Sequence, residues 1–213
     1  ILATGHSLPR PAADRAIQPD WDPIPSLPSD ASVLILGTGL TMVDQVLSLL
    51  DSGFEGRILA ISRRGLLPRA HRPTIPLRLG PQDVPFGAPI SALCRWLRSL
   101  AREAEGKGGT WRDAMDAVRP FVRRIWRSLP PVERARFLRH GQRWWDIHRH
   151  RMPPGSEARL LAAMADGQFT LLKGDVVQVH RAASGITALY RPYRKAATET
   201  LAATLAIDAR GLR

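Results

Sequence analysis

The sequence lacks the residues and runs on which several protein classes depend. Its one cysteine, Cys94, excludes an internal disulfide and a zinc site made of several cysteines. No apolar run reaches the roughly 18–20 residues of a membrane-spanning helix, so we expect no membrane partner. Neither a Ser-His-Asp pattern, nor a motif of paired carboxylates, nor an H-E-x-x-H sequence is present. The catalytic residues are therefore unknown from the sequence, and no metal site is predicted.

The start of the chain has neither an initiator methionine nor the charged-then-apolar pattern of a secretory signal. Residues 1–5 instead have the character of a strand cut in mid-protein. We therefore expect the chain to be a fragment of a longer protein. The lone cysteine agrees with a cytoplasmic location, which we also expect.

Lysine is scarce, and arginine carries almost all of the positive charge. Lys and Arg number 31 against 19 Asp and Glu, which gives a formal net charge of +12. The excess lies within residues 63–151, which hold 20 basic and 7 acidic residues. Arginine can pair bidentately with phosphate or carboxylate, and a strongly basic balance is typical of nucleic-acid-binding modules. A GC-rich genome that favours arginine codons would produce the same composition.

Proline marks the first part of the chain as a linker. Residues 6–30 contain prolines at a density that excludes helix and central strand. An apolar run at 32–36 then predicts a strand buried on both faces. A helix is predicted over 40–50 and a second buried strand over 57–61. Strand, glycine turn, helix and strand within about 30 residues predict a parallel βαβ unit with a right-handed crossover.

The rest of the chain divides into a helical part and a strand-rich part. Helical periodicity predicts four helices, at residues 90–104, 111–129, 131–148 and 154–166. Tryptophans are expected to anchor this helical lobe, namely Trp96, Trp111, Trp126, Trp144 and Trp145. Short apolar runs and turn signals predict four strands, at residues 169–173, 176–181, 186–190 and 200–207.

These elements predict an α/β fold: a Rossmann-like, three-layer parallel sheet with an inserted small α-helical lobe and a C-terminal β-rich segment. Residues 1–31 are assigned to the linker and residues 32–88 to the first part of the Rossmann domain. Residues 89–151 form the helical lobe. Residues 152–213 are the remainder of the Rossmann domain.

The glycine turn between the first predicted strand and its helix is typical of a dinucleotide site. Its first glycine permits the tight turn, and its second lets backbone N–H groups approach a pyrophosphate at the helix N-terminus, where the helix dipole favours anions. The sixth position, which usually holds Gly or Ala, is here Met42. A glycine turn without any ligand is the alternative. The predicted cofactor-binding residues of this turn are Gly37, Thr38, Gly39, Leu40, Thr41 and Met42.

The end of the second predicted strand favours NADP(H) over NAD(H). An NAD site usually places Asp or Glu here to accept a hydrogen bond from the ribose 2′-OH. This chain instead has Ser62, Arg63 and Arg64, a hydroxyl and two guanidiniums, where a 2′-phosphate would lie. Charge-assisted arginine–phosphate pairs are among the stronger polar contacts. We therefore predict that these three residues bind the 2′-phosphate, the alternative being that the arginines are solvated edge residues.

Two histidines close the helical lobe. His148 and His150 are two positions apart, which places them on opposite sides of a predicted helix and argues against joint metal ligation. We interpret this stretch as a basic helix end, favourable at the C-terminal dipole. A cationic site for an acidic substrate or for cofactor phosphates is the alternative.

Three stretches together carry a resemblance to a known family. The Gly-x-Gly-Leu-Thr-Met turn, the Ser-Arg-Arg-Gly-Leu-Leu-Pro sequence at 62–68 and the His-Arg-His-Arg-Met-Pro sequence at 148–153 resemble FAD/NAD(P)-binding proteins related to flavin-containing monooxygenases and N-hydroxylases. The most specific part is residues 33–73. In such proteins an FAD domain is interrupted by an NAD(P)H domain, and Ala-Thr-Gly-like segments mark the joints near both cofactors.

Both ends of the chain resemble these joints. Ala3–His6 matches the first joint, and residues 208–211 match the second more loosely. The resemblance therefore implies cofactor contacts at Thr4 and Gly5. It also implies that residues 1–31 link the chain to a missing FAD domain, and that the end of the chain returns to it.

The resemblance implies the NADP(H)-binding portion of an FAD-dependent, monooxygenase-like oxidoreductase, which delivers hydride from NADPH to flavin. FAD would be bound in the full-length protein, and the fragment alone would be inactive. Its partners would be the dinucleotide and an unknown small-molecule substrate. Two other classes stay open: a basic nucleic-acid-binding module, disfavoured because no helix-turn-helix or RNP-type motif is present, and a non-catalytic Rossmann-like interaction domain.

Overall fold

A computed structural model of the chain describes residues 16–211, which form two compact units. The first, called here the sheet unit, comprises residues 16–65 and 159–211. The second, the helical unit, comprises residues 66–158. The strands of the described sheet are β1 Gln18–Pro19, β2 Ser32–Leu36, β3 Arg57–Ser62, β4 Phe169–Ala182, β5 Gly185–Pro192, β6 Glu199–Ala203 and β7 Leu205–Asp208.

The sheet has the strand order β1-β7-β2-β3-β4-β5-β6. Strands β1, β7, β2, β3 and the first part of β4 run parallel to their neighbours, whereas β4, β5 and β6 pair antiparallel. Between β2 and β3 lies helix α1, Leu40–Asp51, so the predicted βαβ unit is confirmed. The predicted Rossmann-like α/β fold is likewise confirmed, with a mixed sheet whose antiparallel part is the predicted β-rich segment.

Strand β2 lies in the interior of the sheet, between β7 and β3, where all of its apolar side chains can be buried. Val33, Leu34, Ile35 and Leu36 are at most 1% exposed. Leu34 and Leu36 pack in one cluster with residues of β5, β6 and β7. Because side chains alternate along a strand, Val33 and Ile35 lie on the opposite face, where α1 crosses from β2 to β3. Burying each such side chain contributes about 1.5–3 kcal/mol.

Strand β4 is one continuous strand, and the predicted break at residues 173–175 is wrong. Through Lys173 it pairs with β3, and from Gly174 onward it pairs with β5. Gly174 is buried, and a Cβ there would lie 2.7 Å from the Arg191 carbonyl oxygen and 2.8 Å from the Tyr190 ring. The missing side chain of this glycine therefore allows β5 to pack closely against β4, and the residue does not form a turn.

The predicted strand over 200–207 is two strands, β6 and β7, separated at Thr204. The Thr204 amide donates to the Ser32 carbonyl at 2.8 Å, and its Oγ1 accepts from the Ser32 amide at 3.1 Å. These bonds end the antiparallel pairing of β6 and start the parallel pairing of β7 with β2. The apolar run over 200–207 therefore pairs with β5 through β6 and with β2 through β7.

The helical unit is built from short helices. The predicted helix over 111–129 is interrupted by a 3-10 turn at Arg119–Phe121, where Pro120 lacks an amide donor. The one over 131–148 divides at Gly141, whose missing side chain makes room for the Phe137 ring. The helices are α2 Ile90–Gly106, α3 Trp111–Val118, α4 Val122–Ser128, α5 Pro131–His140 and α6 Gln142–Arg149, and α7 Pro154–Ala165 leads back into the sheet unit.

Small and aliphatic side chains, rather than the tryptophans, fill the core of the helical unit. Ala114, Met115 and Val118 of α3 are at most 6% exposed. Trp126 and Trp144 are 36% and 50% exposed, so the expectation that these two anchor the lobe is wrong, whereas Trp96, Trp111 and Trp145 are half-buried. Among residues 16–211, no helix combines the length and apolar character that crossing a bilayer requires.

Candidate functional site

The glycine turn follows β2 at the carboxyl edge of the parallel strands, the edge at which such sheets bind ligands. Gly37 has φ +115°, a conformation that favours glycine. A Cβ at this position would lie 2.4 Å from the Ala209 carbonyl oxygen. The Gly37 amide donates to the Ile61 carbonyl, and the Ala209 amide to the Leu36 carbonyl, both at 2.8 Å. The turn is therefore held between β3 and the segment that follows β7.

Gly39 is the N-cap residue that precedes helix α1, and it leaves the N-terminus of the helix open. No side chain caps the helix at this residue. A Cβ built on Gly39 would meet no atom of the described chain within 4 Å. Its φ of −86° is available to any residue, so the glycine is not needed for backbone conformation. Its absent side chain instead leaves free space beside the first N–H groups of the helix, the arrangement that binds phosphate.

The other turn residues form the first turn of α1. Leu40 and Thr41 are half-buried. Met42 is fully buried, at 0% exposure. Its side chain therefore belongs to the core beneath the helix, which explains how a long residue occupies the sixth position. Met42 can support the turn, while a direct ligand contact of its side chain stays a prediction.

Thr38 and Ser62 tie the glycine turn to the end of β3. Their hydroxyl oxygens lie 2.9 Å apart, and Thr38 is 8% exposed. The Ser62 hydroxyl also accepts from the Gly65 amide at 3.1 Å. The structure thus brings together two residues predicted from separate motifs. Because the Ser62 hydroxyl already has these two partners, its binding of a 2′-phosphate stays a prediction.

Arg63 and Arg64 lie in the bend between Ser62 and Gly65. Arg63 is exposed and Arg64 is half-buried. Within residues 16–211, neither guanidinium has a hydrogen-bond or ion-pair partner. Gly65 closes the bend with φ +55°. Two arginines with no counter-ion among the described residues therefore follow β3 at the same edge as the glycine turn. The structure does not describe Thr4 and Gly5, so their predicted contacts lie outside the described residues.

A neutralised acidic residue flanks the glycine turn on the other side. Asp208 ends β7 and is paired in register with Leu36. Arg210 donates to both of its carboxylate oxygens, from Nε at 2.7 Å and from Nη2 at 2.5 Å. These hydrogen bonds raise the pKa of Arg210. The ion pair reduces the repulsion that a lone Asp208 would exert on an anion at the neighbouring turn.

The sequence did not point to Lys173 and Tyr193 as site residues. Lys173 is paired in register with Ser62 across β3 and β4, and its ammonium lies 3.3 Å from the centre of the Tyr193 ring. The Tyr193 amide donates to the Lys173 carbonyl at 3.0 Å. The sequence did contain one signal: Lys173 ends a run predicted to be a strand, and Ser62 directly follows another such run.

Arginines of the helical unit are engaged in packing contacts. Arg151 is buried and pairs with Asp116. Arg112 Nε donates to the Ala70 carbonyl at 2.9 Å, and burial together with neighbouring arginines lowers its pKa. Arg134 donates to two carbonyl groups, and its guanidinium lies 5.7 Å from the Trp126 ring. Part of the basic charge therefore holds this unit together.

The histidines have different surroundings. His148 packs edge-on against Trp111, with ring centroids 4.6 Å apart, and its Nδ1 lies 2.6 Å from the Trp144 carbonyl oxygen. His150 directly follows α6 as its C-cap residue and is exposed. His148 thus has a packing role and is not the solvated helix-end residue that was predicted, whereas His150 is exposed as that prediction requires.

Comparison with solved structures shows what the fold resembles. L-lysine 6-monooxygenase from Pseudomonas syringae has a TM-score of 0.51 at 14% identity, with 86% of this chain and 36% of that chain covered. The reduced form of ornithine hydroxylase from Pseudomonas aeruginosa has a TM-score of 0.47 at 15% identity, with the same coverage, 86% and 36%. The Kutzneria sp. 744 ornithine N-hydroxylase, solved with reduced FAD, NADP+ and L-ornithine, has a TM-score of 0.44 at 14% identity, again over 86% and 36%.

The chain spans about a third of the length of these proteins. Its sequence matches no family model and no curated protein. The likeness to the lysine monooxygenase confirms, at the level of the fold, the resemblance predicted from the three sequence stretches. The chain therefore shares its fold with part of the L-lysine 6-monooxygenase.

Proposed function

We propose that this chain binds NADP(H) at the carboxyl edge of β2 and β3, as part of an FAD-dependent, monooxygenase-like oxidoreductase. The observation that carries the proposal is the pairing of an uncapped helix N-terminus at Gly39 with two arginines, Arg63 and Arg64, that have no counter-ion among the described residues. The Thr38–Ser62 contact joins the two features. One dinucleotide carries both phosphate groups that such a site would bind.

The pyrophosphate would lie against the first turn of α1. There the N–H groups of the turn and the helix dipole favour an anion. The space beside Gly39 permits close approach of the backbone to the ligand. The Arg210–Asp208 pair keeps the flanking carboxylate from acting as an uncompensated negative charge.

The adenosine 2′-phosphate would lie at the bend after β3. A carboxylate that would favour the 2′-OH of NAD is absent from this position, and Arg63 and Arg64 replace it. Their guanidiniums can form charge-assisted hydrogen bonds with phosphate without first breaking an internal ion pair. The site should therefore prefer NADPH to NADH.

The oxidoreductase role rests on the fold of the lysine monooxygenase together with this site. Bound NADPH would supply a hydride to flavin held elsewhere in the full-length protein. This chain's residues would bind and orient the dinucleotide, and no residue of the chain is assigned a proton-transfer role. The substrate would be a small molecule, and among the similar structures the named substrates are amines such as lysine, ornithine and cadaverine.

Calorimetry on the full-length protein tests the proposal directly. Wild-type protein should bind NADPH more tightly than NADH. Arg63→Ala with Arg64→Ala should weaken NADPH binding by about 100-fold and change NADH binding by less than about twofold, because hydrogen bonds to charged groups contribute roughly 1.5–3 kcal/mol each. Gly39→Val should weaken both dinucleotides, because its side chain would fill the space beside the helix N-terminus.

Arg57→Ala is the matched control for the arginine variant. Arg57 is exposed and begins β3, at the opposite edge of the sheet, so its loss should leave both affinities unchanged. Equal binding of NADPH and NADH by the wild-type protein would contradict the 2′-phosphate assignment.

Anaerobic mixing with NADPH should bleach the flavin absorbance of the full-length protein, and a purified protein without flavin would contradict the oxidoreductase role.

A further inference from the structure

A second group of cations lies beside Arg63 and Arg64. A Cβ on Gly65, at the end of the arginine bend, would lie 3.0 Å from Lys173 Cβ, so the bend packs directly against this lysine. Lys173 in turn contacts Tyr193, and Arg194 follows Tyr193 in the loop between β5 and β6. Strand pairing therefore gathers four basic residues at one edge of the sheet, and they are Arg63, Arg64, Lys173 and Arg194.

No carboxylate of the described chain neutralises this group. Within residues 16–211, none of the four side chains forms an ion pair. Lys195, one residue beyond Arg194, does form one, at 2.7 Å with Glu199. Neighbouring basic residues of the same loop thus differ in whether they have a counter-ion. Uncompensated like charges repel one another, and an anion bound among them would relieve that repulsion.

Tyr193 positions two of the cations. The Lys173 ammonium lies 3.3 Å from the centre of its ring, and the Arg194 guanidinium lies 5.2 Å from it, both within cation–π range. Arg194 and then Lys173 lower the pKa of the Tyr193 hydroxyl. Arg194 has φ +63°, a left-handed conformation that is uncommon for a residue other than glycine. The loop therefore adopts an unusual backbone conformation at the point where it presents its cation.

We propose that Lys173, held on the ring of Tyr193, is a further specificity residue of this site and binds the adenosine 2′-phosphate together with Arg63 and Arg64. The inference rests on the proposed NADP(H) function and assigns part of the selectivity to β4. Lys173 binds the phosphate directly, whereas Tyr193 acts as a positioning residue that fixes the lysine side chain. Lys173 lies on β4 and would contact the phosphate from one side, while Arg63 and Arg64 in the bend after β3 would contact it from another.

The test compares NADPH, NADH and 2′,5′-ADP binding to the full-length protein by calorimetry. Lys173→Met keeps most of the stem on the ring and removes the charge. It should weaken NADPH and 2′,5′-ADP binding about tenfold and change NADH binding by less than about twofold. Lys173→Arg should restore most of the loss. Lys195→Met is the matched control, because that lysine already pairs with Glu199, and it should leave all three affinities unchanged.

Substitutions of the ring test the positioning role. Tyr193→Phe keeps the ring and should hold the ratio of NADPH to NADH affinity within about twofold of wild type. Tyr193→Leu should lower that ratio two- to fivefold, about the size of an exposed cation–π contact. Thermal unfolding of each variant checks that the fold is intact.

Two outcomes would overturn the inference and leave the proposed function standing. One is that Lys173→Met leaves NADPH affinity unchanged while the double arginine variant loses it. The other is that Lys173→Met weakens NADPH and NADH equally, which would make the lysine a structural residue. If the wild-type protein has no preference for NADPH, the proposed 2′-phosphate site fails, and the role of Lys173 fails with it.

Discussion

Substitution of Gly37 by alanine should destabilise the sheet unit through two separable effects. The first is conformational, because φ +115° disfavours any side chain, at a cost of about 1–2 kcal/mol. The second is a collision, because the new Cβ would lie 2.4 Å from the Ala209 carbonyl oxygen. Relieving that collision moves the backbone after β7 and strains the 2.8 Å bond from the Ala209 amide to Leu36. Overpacking of this kind costs about 1–3 kcal/mol.

Gly53→Ala separates the two effects. Gly53 also has a positive φ, +75°, but a Cβ there would meet no described atom within 4 Å. Both substitutions remove the same freedom from the unfolded chain, so that contribution cancels in the comparison. Gly37→Ala should therefore cost about 1–3 kcal/mol more than Gly53→Ala in the free energy of unfolding.

Urea denaturation of the full-length protein, followed by circular dichroism, measures this difference. Hydrogen exchange of the Ala209 amide supplies a local measurement, and its protection should fall in Gly37→Ala and stay unchanged in Gly53→Ala. Equal destabilisation by the two variants, with Ala209 still protected, would refute the close approach of the two backbone segments as the reason for glycine at position 37.

Two further substitutions test contacts that lie within the sheet unit and within the helical unit. Thr38→Val removes the hydroxyl 2.9 Å from Ser62 and should lower the free energy of unfolding by about 1 kcal/mol, measured by urea denaturation; no change would show that the pair does not stabilise the turn. Asp113 of α3 is 2% exposed and accepts hydrogen bonds from the Ile75 and Thr110 amides, so Asp113→Ala should destabilise the helical unit by about 2–4 kcal/mol. Asp113→Asn, which keeps an acceptor oxygen, should cost less, and equal losses would contradict the hydrogen-bond explanation.

The βαβ unit was predictable because its signals are local. Residues 32–36 are an apolar run that ends at the glycine turn, and α1 shows its buried face at helical spacing. The Thr38–Ser62 contact follows from two motifs that parallel pairing brings to the same edge. These features depend on short stretches of sequence and on one general rule of sheet topology.

The errors concern residues whose role depends on distant partners. Gly174 lies in a sequence typical of a turn, yet its missing side chain makes room for Tyr190 and Arg191 of β5, which lie sixteen and seventeen residues later. Thr204 is an ordinary residue in an apolar run, but its two bonds with Ser32 decide where β6 ends and β7 begins. Lys173 joins Ser62 only through the register of strands about 110 residues apart. A single sequence does not contain that register.

Whether a basic residue can bind an anion depends here on the partners that it already has, and not on the net charge of the chain. Most of the excess charge lies in residues 63–151, but Arg112, Arg134 and Arg151 of that stretch donate to carbonyl groups or pair with Asp116. Such arginines have already used hydrogen-bonding capacity within their own unit. Arg63 and Arg64 have no such partner among residues 16–211, and no described side chain caps the N-terminus of α1 at the same edge of the sheet. An anion can therefore bind at the carboxyl edge of the sheet without breaking any described ion pair, which distinguishes this small group from the net charge of the whole chain.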